Sequence, residues 1–214
     1  MTSCFQLLAG VLAVTFTVAL ANRHPINDFC VADKKSPVLV DGFVCKDPKL
    51  VEDNDFFSSG LHIPGNTSNQ LGSKATPANI LQIPGLNTLG ISLVRIDYAP
   101  YGVNAPHTHR ATEIFTVLKG ILEVGFVSSN PGNRLYTKVL RKGDVFVFPI
   151  GTIHYQRNLW RRPAVAMAAL NSQDPGVTSI ENALFKAKPN FPSEMLATAF
   201  QTDNNVITNI QSKF

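Results

Sequence analysis

From residue 89 to residue 170 the chain is a succession of short stretches rich in β-branched and aromatic side chains, at 89–98, 113–119, 121–127, 135–141, 144–148, 153–159 and 164–170. Gly, Pro or Asn separates most of them. Strands this short bury their apolar residues only when several lie side by side and the sheet folds back on itself, so the spacing predicts an all-β sandwich or barrel. No internal repeat and no Pro- or Ser-rich linker divides the chain. One domain is therefore expected, with an N-terminal extension over about 22–85, a barrel core over about 86–175 and a helical C-terminal extension over about 180–214. In that last part Met195, Leu196, Ala199 and Phe200, then Val206, Ile207, Ile210 and Phe214, recur at helical spacing, with Ser193 and Asp203 placed as N-caps. Two short amphipathic helices after a β domain are expected to pack or to mediate self-association.

The composition supports a packed core, with 44% hydrophobic and only 16% charged residues, and excludes a disordered chain. The 19 Lys and Arg exceed the 15 Asp and Glu by a scattered +4. Basic residues never run longer than the pairs Lys34-Lys35, Arg141-Lys142 and Arg161-Arg162, so the chain lacks the clustered charge of a nucleic-acid face. Residues 1–21 hold no charged side chain and end in Ala19-Leu20-Ala21, the pattern of a secretory signal peptide. Its apolar run is shorter than the roughly 18 residues a membrane span needs, and the polar Asn22-Arg23-His24 follows directly, so no membrane anchor is expected after its removal. Positive charge ahead of the apolar run comes only from the α-amino group. Cleavage discards Cys4 and leaves Cys30 and Cys45, which form one bridge in an oxidising compartment or remain as two buried thiols. Asn66-Thr67-Ser68 is a glycosylation sequon in a polar stretch where a surface loop is expected.

Three of the five histidines fall in two windows, Pro106-His107-Thr108-His109-Arg110-Ala111-Thr112-Glu113 and Pro149-Ile150-Gly151-Thr152-Ile153-His154. Side chains alternate along a strand, so His107 and His109 share a face, and Glu113 has the same parity if that strand runs on without a bulge. His154 would join them from a later strand. Three neutral imidazoles and one carboxylate leave a divalent ion with net positive charge and open positions, the mark of a reactive rather than a closed structural site. His24 and His62 have no such partners and are read as non-ligands.

Residues 102–120, with His107, His109, Glu113 and Gly120, resemble the first cupin motif; Gly143, Pro149, Gly151, His154 and Asn158 match the second. Asp28-Phe29-Cys30-Val31-Ala32-Asp33, Asn87-Thr88-Leu89-Gly90 and the tail Ile210-Gln211-Ser212-Lys213-Phe214 extend the likeness over nearly the whole mature chain, which is similar to plant germin-like proteins. The resemblance implies a cupin jelly-roll β-barrel with short C-terminal α-helices and manganese held by His107, His109, Glu113 and His154. It also implies a Cys30–Cys45 disulfide, an apoplastic location in the cell-wall matrix, a homohexamer built as a trimer of dimers, and a role in defence. Two features depart from the family. Germins usually carry one more residue between the histidine pair and the glutamate, so a β-bulge is expected to be absent or shifted here. Tyr101 stands where the family usually has a glycine, and its ring is expected near the barrel mouth.

The germin group contains oxalate oxidases, manganese superoxide dismutases, a few nucleotide-sugar hydrolases and members without known catalysis, so residues beyond the ligands must discriminate. Its oxalate oxidases place two asparagines near the metal. Asn104 matches one, whereas Val94 stands at the other, which disfavours a dianionic substrate because buried unpaired charge is costly. A small anionic or oxygen-derived substrate, superoxide first, fits better. The affinity order of divalent metals would favour copper or zinc over manganese, and no side chain names the metal. A different class of reading is a non-catalytic wall protein whose metal stabilises the barrel. Lys142-Gly143-Asp144 resembles an adhesion tripeptide, but Gly143 opens the second motif, so a turn between strands is expected there.

Overall fold

The computed structural model describes residues 28–39 and 42–214; the expected signal segment lies outside the described residues. Ten strands form two five-stranded sheets: β1 (Ser73–Ala78), β2 (Ser92–Tyr98), β3 (Val103–Thr108), β4 (Glu113–Lys119), β5 (Ile121–Val127), β6 (Leu135–Arg141), β7 (Val145–Phe148), β8 (Ile153–Asn158), β9 (Ala164–Leu170) and β10 (Thr178–Ser179). One sheet has the order β1-β2-β9-β4-β7 and the other β10-β3-β8-β5-β6, with every pairing antiparallel. The chain passes repeatedly from one sheet to the other, which makes the architecture a jelly-roll barrel.

The period of two explains the core. Along β9, Ala164, Ala166, Ala168 and Leu170 are buried and alternate with half-buried residues. These small side chains leave room for Tyr98, Phe115 and Phe148 from the strands around them. The same alternation carries polar groups inward. Glu113 tops the buried column Glu113, Phe115 and Val117 on β4, and His154, Gln156 and Asn158 are the buried positions of β8. Four strands have the bounds expected from sequence. β1 was not foreseen, since an edge strand carrying Pro77 and no buried alternation lacks a strand signal, and it comes from the segment read as an N-terminal extension.

Three short helices close the chain: α1 (Ile180–Phe185), α2 (Ser193–Ala199) and α3 (Asn204–Gln211). Asp203 caps α3 by accepting a hydrogen bond from the Asn205 backbone, as expected, whereas Ser193 lies inside the first turn of α2 with Pro192 as its cap. Leu196, Ala197 and Ile207 bury against Leu184 and Phe185 in a small core of their own. Among the described residues no helix is long and apolar enough to cross a membrane. Near the N-terminus Cys30 and Cys45 form a disulfide, and the buried Asn87 donates to the Phe43 carbonyl at 2.9 Å, pinning the bridged loop to the barrel. The Lys142-Gly143-Asp144 segment is the turn between β6 and β7, where Gly143 has φ +89° and Asp144 accepts from the Arg141 backbone at 2.7 Å.

Tyr101 corrects a sequence expectation. The residue is 65% exposed and takes no part in lining the cavity beside the histidines. The position favours glycine for its backbone, since Tyr101 has φ +59°, a conformation costly for any side chain. Tyr101→Gly should therefore raise the urea midpoint, corresponding to about 1 kcal/mol; an unchanged or lower midpoint would contradict this account of the turn.

Candidate metal centre

Antiparallel register sets His107 of β3 directly opposite His154 of β8, with ring centroids 4.1 Å apart. His109 follows immediately after β3, and Glu113 opens β4 in the facing sheet. One potential ligand atom from each of these residues lies within 4.8 Å of all the others. The expectation that Glu113 continues the histidine strand is thus corrected. The chain turns at residues 109–112 and crosses between the sheets. That turn is held by hydrogen bonds from the Arg110 backbone to the Pro175 carbonyl, 3.0 Å, and from the Thr112 backbone to Asn171 Oδ1, 2.7 Å. Strand parity consequently plays no part between His109 and Glu113, and the shorter spacing is taken up in the turn. A register shift does occur in β3, earlier, between Asn104 and His107.

Each imidazole has its Nδ1 against a main-chain carbonyl: His107 on Ala105 at 2.7 Å, His109 on Gly176 at 2.6 Å and His154 on Thr152 at 2.9 Å. A carbonyl can only accept, so the proton is assigned to Nδ1 and the Nε2 lone pairs are left free. His109 Nε2 and His154 Nε2 stand 3.3 and 3.6 Å from Glu113 Oε2, and His154 Nε2 is buried with no hydrogen-bond partner. Burial and the neighbouring His154 lower the His107 pKa to about 4. Burial alone would raise Glu113, but its contacts with His109 and His154 outweigh this and bring it down to about 2. Burial likewise opposes protonation of His109, yet Glu113 and the Gly176 carbonyl prevail and raise it. The barrel therefore collects lone pairs and a carboxylate in a buried place. That donor set fits a first-row divalent cation.

A cavity of about 400 Å³ adjoins the cluster, lined by residues of β1, β2 and β3, by Leu170 and by residues 174–177. Asn104 and Val94 both line it, together with His107, His109 and Glu113. Asn104 Nδ2 donates to Gln156 Oε1 at 2.7 Å, and the Tyr98 hydroxyl reaches the same oxygen at 3.4 Å. Sequence reasoning missed the carbonyls of Ala105, Thr152 and Gly176, because a backbone acceptor leaves no residue-type signature. It also missed Gln156, which repeats the inward parity of His154 two residues on and could have been found from that alone. His62 is exposed and outside the cluster, as expected; His24 lies outside the described residues.

A small antiparallel barrel enclosing three histidines and a glutamate defines a class of metal-binding β-barrel proteins. The chain belongs to the cupin family, which matches residues 59–208, and within it to the germin-like proteins. It is 56% identical over 213 residues to germin-like protein 8-9 of Oryza sativa subsp. japonica, covering 98% of this chain and 95% of the relative. Germin-like protein 8-7 of the same plant is 55% identical over 215 residues, covering 99% and 96%. Among solved structures, an oxalate oxidase in complex with the substrate analogue glycolate superposes with a TM-score of 0.85 at 42% identity, over 89% of this chain and 96% of that one.

The titration of the cluster predicts how the metal-free protein responds to acid. His107 is held neutral, with its pKa lowered from 6.5 to about 4, so the unfolded chain binds the extra proton first. Its contribution is complete above pH 6.5 and falls on acidification toward pH 4, by on the order of 3 kcal/mol. Glu113 acts in the same sense lower down, losing its contribution as pH falls from 4.5 through about 2. His109 acts oppositely: its contribution is present below 6.5 and fades as pH rises through its raised folded value. Urea unfolding of metal-free protein across pH 6.5 to 4 should show the decline, and His107→Asn should flatten it. A decline that is equally steep in the variant would contradict the assignment.

Proposed function

We propose that this chain is a secreted germin-like protein of the plant apoplast that binds manganese through His107, His109, Glu113 and His154 and dismutates superoxide. The observation that carries the reading is the convergence of backbone-oriented imidazole lone pairs and an ionised carboxylate beside an open cavity. Manganese bound there would supply one-electron redox chemistry at an open position. The chain's own part is to keep His107 neutral and Glu113 ionised and to hold the imidazoles in one orientation. Phe148, stacked 4.5 Å from the His154 ring, helps fix the latter. Superoxide is a small monoanion that asks for no cationic side chain, and the two protons consumed when two superoxide ions become dioxygen and hydrogen peroxide would come from solvent.

Oxalate oxidation is the weaker reading despite the solved relative. Val94 puts an apolar side chain in the cavity wall, one of the two Asn104 amide N–H groups is engaged by Gln156, and no Lys or Arg is among the described lining residues. A dianion would bury a second negative charge with no cationic side chain among the described lining residues.

Secretion is supported by the uncharged apolar leader in the sequence and by the disulfide. Glycosylation at Asn66 is supported by its exposed turn, where its Oδ1 accepts from the Ser68 backbone at 2.9 Å. A homohexamer, a trimer of dimers, accords with two exposed apolar surfaces. Leu93, Ile114 and Val147 lie in one register row on the outer face of the first sheet, and Met195, Phe200, Val206 and Phe214 are exposed around α2 and α3. The scattered +4 suits the acidic cell-wall matrix.

Metal analysis of the purified protein coupled to a superoxide assay tests the function. Stoichiometric manganese and superoxide consumption are expected, with both lost in His107→Ala and His154→Ala. Fully loaded protein that leaves superoxide untouched would contradict the catalytic reading and favour a wall protein stabilised by its metal.

A further inference from the structure

We propose that the end of the barrel opposite the histidines binds an anionic polysaccharide, a chain of uronate sugars, with Tyr101 and Trp160 as the stacking surface and Arg161, Arg162 and their basic neighbours holding the carboxylates. The choice of a sugar over a nucleic acid rests on reading the chain as secreted. The site itself needs no metal.

The fold gathers basic residues that lie far apart in the sequence. Residues 99–102, 119–120, 141–144 and 159–163 turn the chain from β2 to β3, β4 to β5, β6 to β7 and β8 to β9, and the antiparallel pairings set all four turns at one end. Glu113 and Lys119 are the two ends of β4, about 20 Å apart at a rise of ~3.3 Å per residue, so this end is remote from the histidine cluster. The Tyr101 backbone donates to the Trp160 carbonyl at 3.3 Å, and Asn158 Nδ2 donates to the carbonyls of Ala99 and Arg162, both at 2.8 Å. The turns are thereby fixed against one another. They carry Lys119, Arg141, Lys142, Arg161 and Arg162, all exposed, and one carboxylate, Asp144, which accepts from the Arg141 backbone. Nearby Arg157 is already paired with Glu123. Five cations against one anion leave the turns with +4, the formal excess of the whole chain, so the positive field is concentrated here.

The aromatic residues select the ligand. Trp160, the chain's one tryptophan, is 43% exposed beside the more exposed Tyr101. Tyr101 holds φ +59°, so a bulky ring is kept on this turn although its backbone conformation is unfavourable. An aromatic face covers the C–H face of a pyranose ring, and a guanidinium takes a carboxylate through paired N–H donors. A uronate chain presents both in every unit. A neutral glycan would leave the cations unmatched, and an acidic peptide would leave the rings unmatched.

Titration of the secreted full chain with decagalacturonate, read by Trp160 emission and by calorimetry, tests the proposal. Emission should shift saturably, and binding should weaken as salt screens the charges. The fully methyl-esterified decamer should bind at least about tenfold more weakly, as should decagalacturonate to the double variant Arg161→Gln/Arg162→Gln. Tyr101→Gly, expected to be the more stable protein, should weaken decagalacturonate severalfold and leave decaglutamate unaffected; this separates lost stacking from lost folding. His107→Ala should bind decagalacturonate as the parent does. Equal binding of the ester, equal loss of decaglutamate in Tyr101→Gly, or tighter binding of decathymidylate would overturn the proposal. So would loss of binding in His107→Ala with the arginine variant unaffected. Protein retained inside the cell overturns the secretion reading and this choice of ligand together. Secreted protein that ignores decagalacturonate overturns this inference alone.

Discussion

Every other property of the site depends on the hydrogen bonds that three main-chain carbonyls accept from imidazole Nδ1. For His107 and His154 the acceptor sits two residues earlier in the same segment, so the conformation of β3 and β8 aims the rings. For His109 it is Gly176, carried to the site because β10 pairs with β3 at Thr178↔Thr108 and Ser179↔His107. Glu113 arrives from the opposite sheet. A single cluster thus ties both sheets and the segment leading to α1, and it gathers acceptors that oppose one another until a cation lies between them.

The cavity turns this arrangement into a question of selectivity. A cation held by the cluster would supply the affinity for an oxygen donor, and the residues around it would limit what that donor carries. Val94 on β2 and Asn104 on β3 both line the cavity, an apolar and a carboxamide side chain contributed by different sheets. Hydrogen bonding from Asn104 to Gln156, and from Tyr98 to Gln156, further ties the wall to the buried column of β8. Asn104 shares β3 with His107, whereas Val94 comes from β2, which carries none of the four cluster residues.

Much of this was legible in the sequence where residue type and structural role coincide. β4, β5, β6 and β9 have the expected bounds because punctuated runs of β-branched and aromatic residues mark them. The ligand set was legible as residue types, with the two windows now brought together as β3 opposite β8. The path between His109 and Glu113 was not, because alternation holds only while the chain stays extended and residues 109–112 turn instead. β1 lay hidden in a Pro-containing edge, and α1, only 6 residues long, was too short to show a helical period. The Gly176 carbonyl was invisible for a different reason: its role comes from tertiary pairing, which no local pattern encodes.

Imidazole tautomers in the metal-free protein are the most direct readout of this account. Long-range nitrogen–proton NMR correlations on protein carrying 15N-histidine distinguish a protonated Nδ1 from a protonated Nε2. The account predicts that His107 and His154 both keep the proton on Nδ1 and leave Nε2 bare. A proton on Nε2 as the dominant neutral form at either residue would contradict it, since the lone pairs would then not face the place where the cation belongs.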